Sequence, residues 1–151
     1  MIDLPIANLL PTGRFRGAAK WEIRIYSQPS EPNYLVVSYD LLDNQFKDPS
    51  YFKDMLDAIS CATRRMQKTL SVPMAFVDKP SPLFFLRHRE MSFDKTDRRL
   101  WNSFFGQEFT TGDMIAYLES SVGMRHQRAL MKSLTLLDRL IDAGMVERRN
   151  Q

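Results

Sequence analysis

The sequence predicts an α+β protein in which a small antiparallel ββαββ sheet-and-helix unit is followed by three helices. In the first part, apolar residues alternate along short segments, as in half-buried strands, and then recur every three or four residues, as in an amphipathic helix. Three further segments with helical spacing follow, and two of them begin at side chains that cap helices. We expect a flexible basic arm over residues 1–19, the ββαββ unit over 20–90 and the helical domain over 91–151.

The composition is that of an ordinary soluble globular protein. Hydrophobic residues make up 44% of the 151 residues and charged residues 26%, both close to average values. No apolar run approaches the ~20 residues that a membrane span needs. The N-terminal segment is a poor signal peptide, because Asp3 and Pro5 interrupt its short apolar stretch. Together with Cys61 as the only cysteine, this predicts a cytoplasmic protein that has no membrane partner.

The first 19 residues lack a regular pattern, because proline and glycine recur along them. Arg14, Arg16 and Lys20 make this region basic. Two interpretations are open. A partly disordered leader is the favoured one, and a tail that contacts nucleic acid or a partner is the alternative.

Two segments of alternating residues predict a hairpin. Residues 21–27 and 33–42 each place apolar side chains at every second position, and the turn-rich residues 28–32 connect them. The apolar side chains of these two segments are Trp21, Ile23, Ile25, Leu35, Val37, Tyr39 and Leu41.

A helix is predicted to begin at Asp48 and Pro49, which suit the cap and the first turn, and to run to about Leu70. Two further strands are expected, Val72–Val77 and Leu83–His88. The apolar face of the predicted helix comprises Phe52, Met55, Leu56, Ile59, Ala62, Met66 and Leu70.

The helix leaves one face of the predicted sheet uncovered. We assign Tyr26, Tyr34 and Phe85 to this face, with Arg24 and Arg87 nearby in the pattern. Aromatic rings interleaved with arginine on a sheet can stack single-stranded bases. We favour the alternative, that this face packs on the C-terminal helices or on a second subunit, because exposed apolar patches usually mark interfaces.

Local capping patterns delimit the three C-terminal helices. Asp94 caps the first, and Gly106 ends it. Thr110 and Asp113 have the spacing of a capping box, which opens the second helix. The third and longest helix is expected over Arg125–Ala143.

The end of the third helix carries a recognisable motif. Leu140 is followed four positions later by Gly144, then by the apolar pair Met145 and Val146, and then by Arg148. With the capped second helix, this motif resembles the bacterial winged helix-turn-helix regulators over roughly residues 94–151. The resemblance implies DNA binding and a left-handed helix cap at the glycine. The interval between cap and glycine is longer than usual in that family, and few residues follow the motif to form a wing.

Basic residues follow one stripe of the third helix, and the leucines that anchor it follow another. Helix-turn-helix proteins place such a helix in the major groove with its N-terminal residues at base edges. Arginine can pair with guanine there, and glutamine with adenine. A solvated helix face of no special function is an equally weighted alternative. The predicted DNA contacts are Arg125, His126, Gln127, Arg128, Lys132 and Arg148.

Motifs of catalysis are missing from the sequence. His88, His126 and Cys61 lack the spacing of metal ligands, and there is no glycine-rich phosphate loop. Cys61 lies in mid-helix, where a buried, inert thiol is the favoured interpretation. We predict a protein that is not an enzyme and has neither cofactor nor metal. Core packing is the preferred explanation for most of the methionines, since Met55, Met66, Met114 and Met131 have helical core spacing.

Two functional hypotheses follow. The first is a small transcriptional regulator, a homodimer that binds double-stranded DNA through its C-terminal helix-turn-helix. The second is a protein-binding antirepressor or inhibitor, of the kind that phages and mobile elements carry, which acts by holding a partner protein. The short chain, the missing catalytic motifs and the missing wing favour the second hypothesis, whereas the basic stripe favours the first.

Overall fold

The computed structural model describes residues 8–77 and 94–149. The predicted α+β class is confirmed, since an antiparallel sheet with a helix packed on it is followed by further helices. The chain divides into two compact units, residues 1–70 and 71–151. Among the described residues, no helix is long and apolar enough to cross a membrane. The strand predicted over Leu83–His88, including Phe85 and Arg87, lies outside the described residues.

Four antiparallel strands in sequential order form the sheet of the first unit. The predicted hairpin is confirmed by the second and third strands, in which Ile25 lies opposite Val36. Both faces of this hairpin contain buried side chains. Successive residues therefore point alternately into two apolar clusters, and neither face of the hairpin is fully exposed to solvent. The strands are β1 (Pro11–Arg16), β2 (Trp21–Ser27), β3 (Tyr34–Asp40) and β4 (Gln45–Phe52).

The two edge strands, β1 and β4, differ from the prediction. From Pro11 onward the region expected to be a flexible arm pairs with β2. The helix expected from Asp48 is preceded by β4, in which Asp48 has a positive φ of 54° and the pairing with β3 shifts in register. Edge strands tolerate proline, because one side of the strand needs no hydrogen-bonding partner, and a bulge absorbs the extra residues. Proline therefore misled the prediction at Pro11 and Pro49.

The helix of the first unit, α1 (Met55–Thr69), packs on one face of the sheet. Its buried side chains are small, namely Ala58, Cys61 and Ala62, which contact a layer that includes Ile23. Small residues allow the helix axis to approach the sheet closely. The predicted apolar face is therefore wrong in part: the structure places Leu56, Ile59 and Met55 toward solvent. The prediction of a buried, free thiol at Cys61 is confirmed.

The described part of the second unit contains a short strand, three helices and a final strand. Both predicted caps are confirmed as capping boxes, one between Asp94 and Asp97 and the other between Thr110 and Asp113. Gly144 has the predicted left-handed conformation, with φ of 74°. The elements are β5 (Met74–Phe76), α2 (Lys95–Phe104), α3 (Thr111–Tyr117), a π-helical turn (Leu118–Val122), α4 (His126–Asp142) and β6 (Val146–Arg148).

Strand β5 pairs with β6 instead of extending the sheet of the first unit. The pairing is antiparallel and sets Phe76 opposite Val146 and Met74 opposite Arg148. On its other side, Met74 exchanges two backbone hydrogen bonds of 2.8 Å with Phe109. This pairing assigns β5 to the second unit, and for this reason the chain divides after Leu70 instead of near residue 90.

Candidate nucleic-acid interface

Helices α3 and α4 are joined by the π-helical turn, which ends at a left-handed glycine. Gly123 has a φ of 79°, and the N–H of Met124 donates to the Leu118 carbonyl at 3.0 Å. The chain is extended at Arg125, the N-cap of α4, whose side chain makes no capping hydrogen bond. The N–H groups of the first turn lack intrahelical acceptors, as at every helix N-terminus, and leave partial positive charge there.

Four of the predicted contact residues lie together at this N-terminus. Arg125, His126, Gln127 and Arg128 are consecutive and all exposed. Within the described part of the chain, neither Arg125 nor Arg128 has an ion-pair or hydrogen-bond partner for its guanidinium. His126 differs, because its Nδ1 lies 2.5 Å from a carboxylate oxygen of Glu119 in the preceding turn. The start of α4 thus carries two cations that no described acid compensates, beside a polar amide.

Lys132 lies on the same helix as this group, but its charge is engaged elsewhere. Its ammonium lies 2.6 Å from Asp94 Oδ2 and 3.0 Å from Asp97 Oδ1, both at the start of α2. Burial alone would lower the pKa of Lys132, but the hydrogen bonds to the two aspartates outweigh burial and raise it. The hydrogen bond from Lys132 in turn lowers the pKa of Asp94. Lys132 therefore fastens α4 to α2, and its charge is compensated.

Arg148 lies on a different element from the other predicted residues. It is half-buried on β6, opposite Met74, and it already takes part in an interaction within the protein. The next residue, Arg149, donates its N–H to the Pro73 carbonyl at 2.8 Å and pairs with Glu147 at 2.9 Å. Strands β5 and β6 form a two-stranded ribbon, and its end at Arg148 and Arg149 is basic. Glu147 of the same strand offsets part of this charge.

The outward face of α4 includes residues that the sequence analysis missed. Met131 and Thr135 follow the predicted contact Gln127 at intervals of four, and all three are exposed. Met131 is 56% exposed, so the prediction that it packs in the core is wrong, whereas Met114 is buried as expected. Gln127 is polar and lies in the first turn of the helix, so its side chain is expected in solvent. Counting on from it in steps of four would have assigned Met131 and Thr135 to the same exposed face.

A further cation lies beside the turn. Arg99 of α2 is exposed, and its Nη2 lies 3.5 Å from the Ser121 carbonyl. A hydrogen bond with Ser103, and a further one with Arg99, lower the pKa of the Tyr117 hydroxyl. This places a third guanidinium next to the segment that leads into α4. Sequence reasoning missed Arg99, because only the tertiary packing of α2 brings it to the turn.

Aromatic packing holds the helices of this unit in place. Phe76 of β5 stacks on Trp101 with ring centres 5.1 Å apart, and Phe104 contacts Phe109 at 5.4 Å. Leu136 and Leu140 of α4 line the same apolar cluster. The cluster fixes α4 through its buried face and leaves the opposite face to solvent.

The sheet of the first unit does not offer the aromatic platform considered for single-stranded bases. Tyr26 is only 2% exposed, and Tyr34 packs on the opposite face, beside the α1 core. The Arg24 guanidinium lies 4.0 Å from the centre of the Tyr39 ring and donates to Glu22 at 2.6 Å. These rings and this charge contact residues of the same unit, whereas packing of this face on the C-terminal helices or on a second subunit stays a prediction.

Searches for related proteins do not extend these observations. Comparison of the chain with protein-family models, with curated proteins and with solved structures gives no match. Within residues 8–77 and 94–149, no three histidine, cysteine or acidic side chains are placed to hold a metal ion.

Proposed function

We propose that the protein is a small DNA-binding transcriptional regulator whose helix α4 enters the major groove of a DNA duplex. The observation that carries this proposal is the exposed pair Arg125 and Arg128, which no described acid compensates, at the start of a helix that follows a capped helix and a turn. An α-helix fits the width of the major groove, and helix-turn-helix proteins direct the N-terminal residues of that helix at the bases.

The chemistry of the outward face of α4 suits base recognition. Arg128 can donate two hydrogen bonds to guanine, Gln127 can pair with adenine, and Met131 and Thr135 can contact a thymine methyl group. The face becomes acidic beyond this point, since Asp142 is exposed at the end of the helix. The proposed contact surface is therefore limited to the first three turns of α4.

The winged-helix resemblance gains a structural rationale from the β5–β6 ribbon. In the family pattern, the strand after the third helix pairs with a strand that follows it. Here β6 pairs with β5, which precedes the helices in sequence. A wing-like ribbon therefore needs no residues beyond Arg149. We propose that this end of the ribbon, with Arg148 and Arg149, lies close to the phosphate backbone.

A partner protein is the second candidate, and exposed apolar side chains of the same unit favour it. Met131 is 56% exposed and Phe105 46% exposed. Exposed apolar side chains mark protein interfaces more often than DNA interfaces, which are polar and strongly basic. An antirepressor or inhibitor would use such exposed apolar side chains to hold its partner.

Binding to a random-sequence DNA duplex over a salt series tests the first proposal. We expect binding at low salt that weakens as salt rises, because displaced counterions drive non-specific association. Replacing Arg125 and Arg128 together by Ala should weaken binding at least about tenfold at low salt and should reduce the slope against log salt by about two for each bound copy. Fluorescence anisotropy with a labelled duplex measures both quantities.

The matched control removes two exposed cations from the first unit, through Lys53→Ala with Lys68→Ala, and should leave the slope almost unchanged. Absence of binding at low salt would rule out the DNA proposal and leave the protein partner. Equal losses in the control and in the Arg125/Arg128 variant would show that net charge, and not α4, controls binding.

A further inference from the structure

The outer face of α1 carries apolar side chains that no described residue covers. Leu56 is 78% exposed, Ile59 41% and Met55 36%. The smaller side chains of Ser60 and Thr63 continue the same exposed face. Large apolar residues clustered on one exposed helix face mark a contact surface more often than a solvated one.

Two opposite charges flank this face. Asp57 and Arg64 are exposed, and neither makes an ion pair within the described part of the chain. They lie on the same side of the helix, because seven residues are close to two full turns. The same spacing separates them by about 10 Å along the axis, which is too far for an ion pair within one helix.

A second copy of α1 that runs antiparallel places these charges against each other. When a two-fold axis passes close to Ser60, Asp57 of each copy lies opposite Arg64 of the other. Antiparallel helices bring like flanks together, so both ion pairs form on the same side of the interface. The axis falls on a small side chain, which allows close approach, and Leu56 then packs over the Thr63 region of the second copy. A parallel two-fold arrangement would put the Asp57/Arg64 flanks of the two copies on opposite sides of the interface, so these ion pairs would not form.

We propose that α1 is a self-complementary dimerisation helix and that the occupant of its outer face is a second copy of this chain. A two-fold interface must be complementary to itself, and the acidic first half and basic second half of the α1 flank meet this requirement. The proposal goes beyond DNA binding and does not depend on it. Because one helix face is smaller than a standard protein interface, we expect a dissociation constant of about 1–50 µM.

Charge exchange provides the decisive test, with sedimentation equilibrium as the measurement. In the Asp57→Arg variant, an arginine at position 57 of each copy faces Arg64 of the other copy. In the Arg64→Asp variant, an aspartate at position 64 of each copy faces Asp57 of the other copy. Each should weaken the dimer at least about tenfold. An equimolar mixture of the two variants should associate again, since the two arginines of one chain then face the two aspartates of the other. The double variant Asp57→Arg/Arg64→Asp should also recover the dimer.

Apolar substitutions provide an independent check. Leu56→Glu should shift the protein to monomer, whereas Leu42→Glu, in an exposed turn of the same unit, should leave association unchanged. Far-UV circular dichroism should be the same for all variants, because every altered side chain is exposed. A wild-type protein that is monomeric at about 200 µM would overturn the proposal, and so would a mixture of charge variants that stays monomeric while the wild type dimerises.

Discussion

Arg128 and Lys132 lie one helical turn apart on α4 and carry the same charge, yet their surroundings give them different roles. Arg128 projects into solvent without a partner among the described residues, whereas Lys132 is held between Asp94 and Asp97. Asp97 is only 3% exposed, so its carboxylate depends on that ammonium. The cation that bridges the two helices is therefore structural, and its neighbour is the one available to a ligand.

Replacing Lys132 by Met should lower the free energy of unfolding by about 2 kcal/mol, because the buried carboxylate of Asp97 loses its cation. Urea unfolding at neutral pH measures this change. Lys95→Met is the matched control. It removes an exposed lysine from the first turn of α2, between Asp94 and Asp97. This change should alter stability by less than about 0.5 kcal/mol. Similar losses in the two variants would contradict the structural role of Lys132.

The pH dependence of the Lys132 contribution has a defined sign. The pKa of Asp94 is lowered in the folded protein, so its stabilising effect is complete above about pH 3.9 and is lost as the pH falls further. The pKa of Lys132 is raised, so its effect is complete below about pH 10.4 and is lost as the pH rises further. The stability difference between wild type and Lys132→Met should be constant from about pH 5 to 9 and should shrink beyond both limits. A difference that changes steadily across neutral pH would contradict this assignment.

The sequence predicted the candidate site correctly only for side chains whose exposure to solvent follows from the periodicity of their own helix. Arg125 and Arg128 precede the apolar stripe of their helix, and the structure places them in solvent. The fate of Lys132 depends on two aspartates more than thirty residues earlier, and no periodicity reveals such a tertiary contact. Met131 was misassigned because its hydrophobicity suggested burial.

The elements that were predicted correctly carry their signals within a few residues. The β2–β3 hairpin follows from alternation, and α2 and α3 follow from capping boxes at Asp94 and Thr110. The edge strands β1 and β4 were missed because each contains a proline and an irregular register, which in the sequence indicate a loop. Only the pairing with a neighbouring strand shows that these segments are strands. The orientation of α1 was missed because the sheet selects the small residues of the helix, and not its largest apolar ones, for close packing.

The C-terminus of α4 offers a test of one such local signal. Gly144 has a φ of 74°, and the N–H of Met145 donates to the Leu140 carbonyl at 2.9 Å across it. Gly144→Ala should lower the free energy of unfolding by about 1–2 kcal/mol, because a Cβ is unfavourable in the left-handed conformation. Gly144→Asn should cost clearly less, since asparagine tolerates that conformation. Urea unfolding measures both losses of stability. Equal losses in the two variants would mean that the added side chain clashes with its surroundings and that the left-handed backbone is not the cause.

At the scale of the whole molecule, the two compact units divide the proposed roles. The first unit contributes α1, whose outer face we propose as the dimer contact, and the second contributes α4, which we propose for DNA. Helix-turn-helix dimers bind paired half-sites, so the two proposals together imply that one DNA duplex is contacted by two copies of α4. This consequence can be measured without knowledge of the DNA sequence.

The salt dependence of DNA binding should report the number of copies that bind together. Each copy brings Arg125 and Arg128 to the phosphates, and each neutralised phosphate contributes about 0.9 to the slope against log salt. The dimer should therefore show about twice the slope of Leu56→Glu, whereas Leu42→Glu should keep the wild-type slope. The comparison requires protein concentrations above the dimer dissociation constant. If Leu56→Glu is monomeric but keeps the full slope, a single copy contacts DNA and dimerisation serves another purpose. If replacing Arg125 and Arg128 lowers the slope of both the wild type and Leu56→Glu by about two for each bound copy, α4 is the DNA contact in either state.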